Sequence, residues 1–233
     1  MEINELHFWE VTPREAIALQ TKLASEVVCE GGPADVRLVA ACDVAFIDRP
    51  ILRRPDLARA AVVVLSYPEL EVVEQHIVQG PARFPYIPGL LSFREIPALS
   101  LAFERVRSSP DLVIADGHGY AHPRRFGLAS HLGLMLGVPT IGCAKSRLCG
   151  EEITPAPERG AIGELFDKGE LIGAVLRTRT GVKPVYVSAG HRISLQQATE
   201  WTLRLAPRYR LPEPIRIADR LSKGYPYPAL PPA

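Results

Sequence analysis

Three carboxylates occupy positions where an acidic side chain calls for an explanation. Asp43 interrupts the apolar run Ala41-Cys-Asp-Val-Ala-Phe46, Glu95 falls near the start of a helical segment, and Asp116 ends the stretch Asp111-Leu-Val-Ile-Ala-Asp116 just before Gly117. An unpaired carboxylate inside a sheet is strongly disfavoured, so Asp43 needs a cationic partner. A divalent cation is a partner all three residues could share, and hard oxygen ligands with water positions to spare suit Mg²⁺ or Mn²⁺. Centres of this kind activate water and stabilise the leaving oxygen in phosphodiester hydrolysis. Two of the three residues also have a plainer reading. Asp before Gly is a common turn former, and an acidic residue in the first turn of a helix favours the helix dipole. Asp43, flanked by apolar residues on both sides, resists such a reading best.

A second feature is mechanical. In Phe84-Pro-Tyr-Ile-Pro-Gly89 two prolines, Pro85 and Pro88, stiffen a loop and hold Tyr86 and Ile87 forward. A rigid aromatic tip can wedge between bases and fill the gap left by a base rotated out of the stack; the alternative is that Tyr86 packs the loop onto the core. His118, His122 and His131 surround the Asp116 segment. The spacing His118-x3-His122 is followed at once by Pro123, which puts it on a loop and not on the helix of a zinc protease, and no Gly-x-Ser-x-Gly elbow is present. His122 and His131 are expected to hold loops or contact phosphate, and His118 to be solvated or structural. Asp116-Gly-x-Gly lacks the third glycine of a dinucleotide fingerprint, which argues against a nucleotide-binding α/β enzyme.

The order of elements gives these residues their places. Residues 13–27 carry apolar side chains at helical spacing (Ala16, Ile17, Leu19, Leu23, Val27), with Thr12 as N-cap ahead of Pro13. Residues 36–46, 60–66 and 70–78 read as three strands, the last two joined by the Tyr67-Pro-Glu69 turn, which makes an antiparallel meander. A helix over 92–107, a buried parallel strand over 111–116, a crossover helix over 126–136 and a second parallel strand over 139–144 follow. Two further strands (171–178, 184–188), a helix opening on the capping pattern Ser194-Leu-Gln-Gln197 and another over 214–223 complete the chain. The expectation is an α/β fold: a mixed five-stranded central sheet, three antiparallel strands then parallel ones, flanked by helices, with additional C-terminal strands and helices.

With 47% apolar and 23% charged residues among 233, one domain spanning 1–233 is expected, with a Pro-rich tail over 225–233 that frays. The start has no basic region leading into an apolar one, and no segment is apolar over membrane-spanning length, so a soluble, unexported, cytoplasmic protein is expected. Cys29, Cys42, Cys143 and Cys149 form no Cys-x-x-Cys pair and are read as reduced packing residues. The formal net charge of +1 argues against a strongly basic coat protein for nucleic acid. Yet residues 177–223 hold ten Lys or Arg against three acidic residues, enough to draw a polyanion to one end of the molecule. A solvated helical face explains the same charges equally well.

The segments that carry these residues resemble a known family. Phe84-Pro-Tyr-Ile-Pro-Gly-Leu-Leu-Ser-Phe-Arg-Glu95 is similar to the signature of endonuclease V, the deoxyinosine 3′ endonucleases. The run from Asp116-Gly-His-Gly-Tyr-Ala-His-Pro-Arg-Arg to Gly133 resembles a second motif, and Pro139-Thr-Ile-Gly-Cys-Ala-Lys-Ser-Arg-Leu148 and Lys183-Pro-Val-Tyr-Val-Ser-Ala-Gly-His191 resemble two more. The resemblance runs from about residue 10 to about 222. It implies a ribonuclease H-like fold and an Mg²⁺-dependent cut at the second phosphodiester bond 3′ to hypoxanthine, leaving a 3′-hydroxyl and a 5′-phosphate, with Mn²⁺ able to substitute. By position it makes Asp43 and Asp116 the metal ligands, Glu95 the third acidic catalytic residue and ligand, Lys145 the active-site cation, and Asp219 a metal-proximal residue. It also implies a base pocket built largely of backbone from Gly89, Leu91, Gly117 and Gly127, with Tyr86, Pro85, Ile87 and His122 beside it. Guanine shares the O6 and N1 pattern of hypoxanthine, so its exclusion would rest on lack of room for the 2-amino group. The implied partner is damaged DNA, with no membrane and no obligate protein partner. Inosine-containing RNA as main substrate, and a hypoxanthine-binding protein that does not cut, are the competing readings.

Overall fold

In a computed structural model the chain is described over residues 1–47 and 57–227. It opens with helix α1 (Pro13–Leu23), capped reciprocally by Thr12 and Glu15. The expected helix ran to residue 27; a 3-10 turn, Ala24–Glu26, takes up the remainder. Its inward stripe is Ala16, Gln20 and Leu23, while Ile17, expected on that face, points outward.

Strands β1 (Leu38–Ile47), β2 (Leu57–Ser66) and β3 (Val72–Pro81) form the antiparallel meander. Helix α2 (Leu91–Phe103) then leads to β4 (Leu112–Ala115), and α3 (Leu128–Leu136) to β5 (Thr140–Ala144). After β5 come β6 (Glu151–Glu152), β7 (Ile162–Asp167), β8 (Glu170–Leu176) and β9 (Val185–His191), followed by α4 (Leu195–Arg204) and α5 (Glu213–Ser222). The strand order is β3-β2-β1-β4-β5-β9-β8-β7-β6. The five expected strands are therefore contiguous, with β4 parallel to β1 and β5 parallel to β4. The later strands are not a separate layer: β9 pairs antiparallel with β5 and extends the same sheet to nine strands. Of the tail expected to fray, residues 228–233 lie outside the described part.

Side-chain alternation divides the sheet between two cores. Ala40 and Cys42 of β1, Val62 of β2, and Val113 and Ala115 of β4 pack under α2 and α3. Ala41, Ala61, Val63, Ile114, Ile141 and Cys143 face the other way, onto α4 and α5 through Trp201, Ile215, Ala218 and Leu221. Helix α5 is strongly amphipathic, with Ile215, Ile217, Ala218, Leu221 and Ser222 buried. All four cysteines are free, and Cys42 and Cys143 are buried as expected. Among the described residues no helix is long and apolar enough to cross a membrane.

Candidate active site

The sheet register places the first two carboxylates. Cys42 and Ala115 are the last partners of the parallel β1–β4 pair, so Asp43 and Asp116 come next on each side. Strands alternate faces, so Asp43 continues the phase of Ala41, Asp116 that of Ile114, and Lys145 that of Cys143, all toward α5. Asp116 and Lys145 follow the carboxyl ends of adjacent parallel strands, the usual place for a site in such a sheet. From α5, Ser222 donates a short hydrogen bond to Asp43 Oδ2, and Asp219 completes a group. One carboxylate oxygen from each of Asp43, Asp116 and Asp219 lies within 4.8 Å of the others.

Glu95, expected as the third ligand, is not in that group. It sits on α2, whose apolar residues pack on the other face of the sheet, yet its carboxyl is near enough to Asp43 and Asp116 for their charges to act on it. It also falls in the second turn of its helix and so is no partner for the helix dipole. Burial, then the charges of Asp43 and Asp116, push its pKa well above the usual carboxylate range, against the pull of Arg94. Burial likewise raises Asp43; the Ser222 hydrogen bond lowers it, Asp116 and Asp219 raise it further, and Lys145 opposes them.

Two ammonium groups stand among these negative charges. Lys145 Nζ lies 2.5 Å from Asp116 Oδ2 and 3.6 Å from Asp219. Burial works against its charge, but the Asp116 hydrogen bond and the charges of Asp116, Asp219 and Asp43 outweigh it and raise its pKa. Its backbone is held by Arg210 Nη2, which donates to the Lys145 carbonyl at 2.7 Å. Lys223 Nζ donates to both carboxylate oxygens of Asp219, at 2.8 and 2.7 Å.

The donor set fits a hard divalent cation. Octahedral Mg²⁺ holds oxygens at about 2.0–2.1 Å, which sets them roughly 3–4 Å from one another. The three Asp oxygens need only a small contraction to meet that spacing, and Lys145 and Lys223 would give up contacts with two of them.

On the far side of Asp116 lies a cavity of about 120 Å³, lined by Tyr86, Ile87, Gly89, Leu91, Gly117, His122 and Gly127, and also by Gln20, Ser92, His118 and Leu148. Seven of the eight residues expected around a base thus share one cavity. Pro85 is the exception and lines a separate groove with Trp9 and Phe93. Gly117 has no positive φ, and a Cβ there would press on the Leu128 side chain at 3.2 Å. At Gly127 a Cβ would lie 2.2 Å from the His118 carbonyl, and Gly89 adopts φ 79°.

The Tyr86 loop is clamped at both ends. Arg94 Nη1 donates to the Phe84 carbonyl at 2.7 Å. The Gly89 carbonyl accepts from Gln20 Nε2 (3.0 Å), His122 Nε2 (2.9 Å) and Arg124 Nη2 (2.8 Å). Tyr86 between them is 70% exposed, so it does not pack the loop onto the core. Because Nδ1 of His122 accepts from the Arg124 amide, its Nε2 carries the proton; burial above all lowers its pKa to about 4. His118, expected to be solvated or structural, is mostly enclosed, with Nε2 on the Ser146 carbonyl and pKa about 4 through burial. His131 is fully buried, paired with His7 at 2.9 Å and stacked on Trp9, so it holds the N-terminal segment and cannot reach a phosphate.

Gln20 and Ser222 were missed. Gln20 is a polar residue on the inward stripe of α1, and that pattern is a usable signal. Ser222 left none.

Among known proteins, a family model described as endonuclease V matches residues 21–220. Endonuclease V of Trichormus variabilis is 50% identical over 226 residues, covering 96% of this chain and 100% of its own. The crystal structure of endonuclease V from Streptomyces avermitilis superposes with a TM-score of 0.86 at 43% identity, covering 92% of this chain and 93% of that one. The protein from Ciona intestinalis, solved in complex with a 24-mer DNA containing an inosine followed by a ribo-adenosine, superposes with a TM-score of 0.77 at 28% identity, covering 90% of this chain and 95% of that one.

Proposed function

The chain belongs to the endonuclease V family, and on that premise we propose that it is a DNA repair endonuclease that takes up hypoxanthine and hydrolyses the second phosphodiester bond on its 3′ side, leaving 3′-hydroxyl and 5′-phosphate ends. The observation that carries this reading is the adjacency of two features through consecutive residues. Gly117 borders the small cavity and Asp116 belongs to the carboxylate cluster. Pockets for whole small molecules run from about 300 Å³ upward, so a cavity near 120 Å³ suits a single base and not a nucleotide. A base held there leaves its backbone lying toward the carboxylates.

Asp43, Asp116 and Asp219 would hold Mg²⁺, or Mn²⁺ in its place. When bound, such an ion supplies a Lewis-acid charge for the phosphate and lowers the pKa of water. The chain's own groups do the rest. Lys145, kept cationic by its neighbours, places a positive charge where negative charge builds on phosphate. Glu95, whose carboxyl feels the charges of Asp43 and Asp116, is the further acidic catalytic residue and would join the ligands. Tyr86, rigidly presented, fills the space left by the displaced base, and backbone groups at Gly89, Leu91, Gly117 and Gly127 read O6 and N1 of hypoxanthine.

Duplexes carrying one deoxyinosine, incubated with Mg²⁺ or with chelator and with the Asp43→Ala variant, test the reading. A nick one nucleotide beyond the lesion that needs both the ion and Asp43 supports it; tight binding with no product in any metal replaces it with a non-cutting reader. A second reading, inosine-containing RNA as the main substrate, is favoured by the ribo-adenosine that follows inosine in the strand bound to the Ciona relative. An inosine RNA in the same assay ranks the two.

A further inference from the structure

On the other side of the carboxylate cluster from the base cavity is a second, wider cavity of about 510 Å³, lined by Lys145, Arg216, Asp219, Arg220, Lys223 and Tyr225. Leu211 completes the lining, and four of the seven residues are cations. Arg216 and Arg220 of α5 and Lys223 at its C-cap recur at i, i+4 and i+7, on the side away from the buried Ile217, Ala218 and Leu221. The one acidic member, Asp219, is already engaged by Lys223 and lies 3.6 Å from Lys145. Arg216 is stiffened by stacking on Tyr209, its guanidinium carbon 3.5 Å from the ring centroid, and by a 2.7 Å contact with Glu213. Tyr209 and Tyr225 are large aromatic rings left exposed beside these charges.

Other basic residues of the 177–223 stretch serve the fold. Arg177 donates to the carbonyls of Pro155, Ala156 and Val182, and Arg210 to those of Lys145, Lys183 and Pro184. Among the described residues, the cations of α5 tie together no such set of remote carbonyls. Arg220 is exposed, and among the described residues its side chain donates to the nearby Pro226 carbonyl.

We infer that this cavity binds the nucleic-acid strand on the 3′ side of the cut, its cations on the phosphates and its exposed tyrosines against the first downstream base. The inference rests on the proposed function for its polarity. A base in the small cavity and a cut on its 3′ side send the downstream strand past Asp116 and Asp219 onto α5. Phosphates met by Arg and Lys supply salt-dependent affinity, and aromatic rings beside them accept any base.

The test is binding, in chelator, of inosine duplexes that share an upstream arm and differ downstream, one ending about two nucleotides beyond the inosine and one extending about ten, long enough to fill a site of this kind. Wild-type protein should bind the longer probe roughly tenfold more tightly, and Arg220→Gln and Arg216→Gln should each remove several-fold of that gain and reduce the salt slope by about 1, leaving the short probe unchanged. Arg220→Gln alters an exposed side chain and should keep the thermal midpoint, so its result stands even if Arg216→Gln loses stability with its stack on Tyr209. Equal weakening on both probes, or no weakening on either, overturns the inference. Failure of wild-type protein to prefer inosine over adenine in both probes would sink the deaminated-purine reading, while the dependence on the downstream arm remains readable.

Discussion

The ammonium of Lys223 bridges both carboxylate oxygens of Asp219, one helical turn away on α5, and so occupies a side chain that a divalent cation would claim. Cation binding must displace that contact. Partly exposed pairs are worth up to about 1 kcal/mol, so Lys223→Gln should tighten binding of Mg²⁺ or Mn²⁺ by about two- to fivefold. Calorimetric titration of the metal without nucleic acid reads this directly. Unchanged or weaker binding would mean that Lys223 does not compete.

Asp43→Asn should separate activity from stability. The substitution keeps shape and removes a buried charge whose pKa is raised by burial and by Asp116 and Asp219. Cleavage should fall by at least about 10²-fold, because an anionic ligand becomes a neutral amide. In chelator the folded state should hold or gain on the order of 1 kcal/mol, since a shifted pKa is itself a stability term. Thermal melts with and without Mg²⁺ should show the cation-induced rise in the wild type and little of it in the variant. A variant that melts well below the wild type in chelator would contradict this account.

The exposed ring of Tyr86 should matter only when a stack has to be opened. Tyr86→Ala should leave the melting curve in place, as surface changes usually stay within about 0.5 kcal/mol. It should slow cutting of duplex by roughly tenfold and of single strand far less, because a single strand has already given up most of its stacking. Equal loss on both substrates would assign Tyr86 to base contact in the cavity instead.

Gln20→Leu tests the clamp beneath the loop. Gln20 Nε2 serves the carbonyls of Gly89 and Phe126, and its Oε1 accepts from Arg124 Nε at 2.6 Å. Removing it strands buried partners at a cost of about 1–3 kcal/mol. Because the clamp shapes the cavity wall and not the carboxylates, KM for the inosine strand should rise more than kcat falls. A pure loss of kcat would refute that division.

Three enclosed histidines set the acid side of the stability profile. His118 and His122 are held near pKa 4 by burial, and His131 is lowered as well, with His7 adding to the effect of burial. The unfolded chain takes protons on these rings below about pH 6.5, while the folded chain excludes them from His118 and His122 until about pH 4 and keeps the buried His131 neutral as well. Stability is therefore full above pH 6.5 and declines as pH falls toward 4. Asp43 and Glu95, with raised pKa values, offset part of the decline. Urea midpoints across this range should show the fall, and His131→Leu should flatten it.

How much of this was legible before folding depended on context within single strands. Asp43 and Asp116 stood out because β1 and β4 are almost wholly apolar, and the meander and crossover followed from run lengths. Strand β7 went unseen because it lies near the sheet edge, with Ile162 and Glu164 exposed and Gly163 between them, so it has no apolar run. The place of Glu95 relative to the other carboxylates was hidden, since a sequence gives its helix but not the face that helix covers. Asp219 looked like any acidic residue on a surface helix, and Ser222 carries no mark that it meets Asp43 across 179 residues.

On the proposed reading, that last contact would also govern when the protein is able to cut. The cluster is closed by α5, whose Ser222 and Asp219 arrive from a part of the chain remote from β1. A nascent or partly unfolded molecule, even one with its central sheet formed, lacks the third carboxylate until this helix docks. On that reading nuclease competence would be tied to completion of the fold, and on heating it should be lost with α5, ahead of the sheet. Metal binding followed alongside far-ultraviolet circular dichroism would show that order, and coincident curves would exclude it.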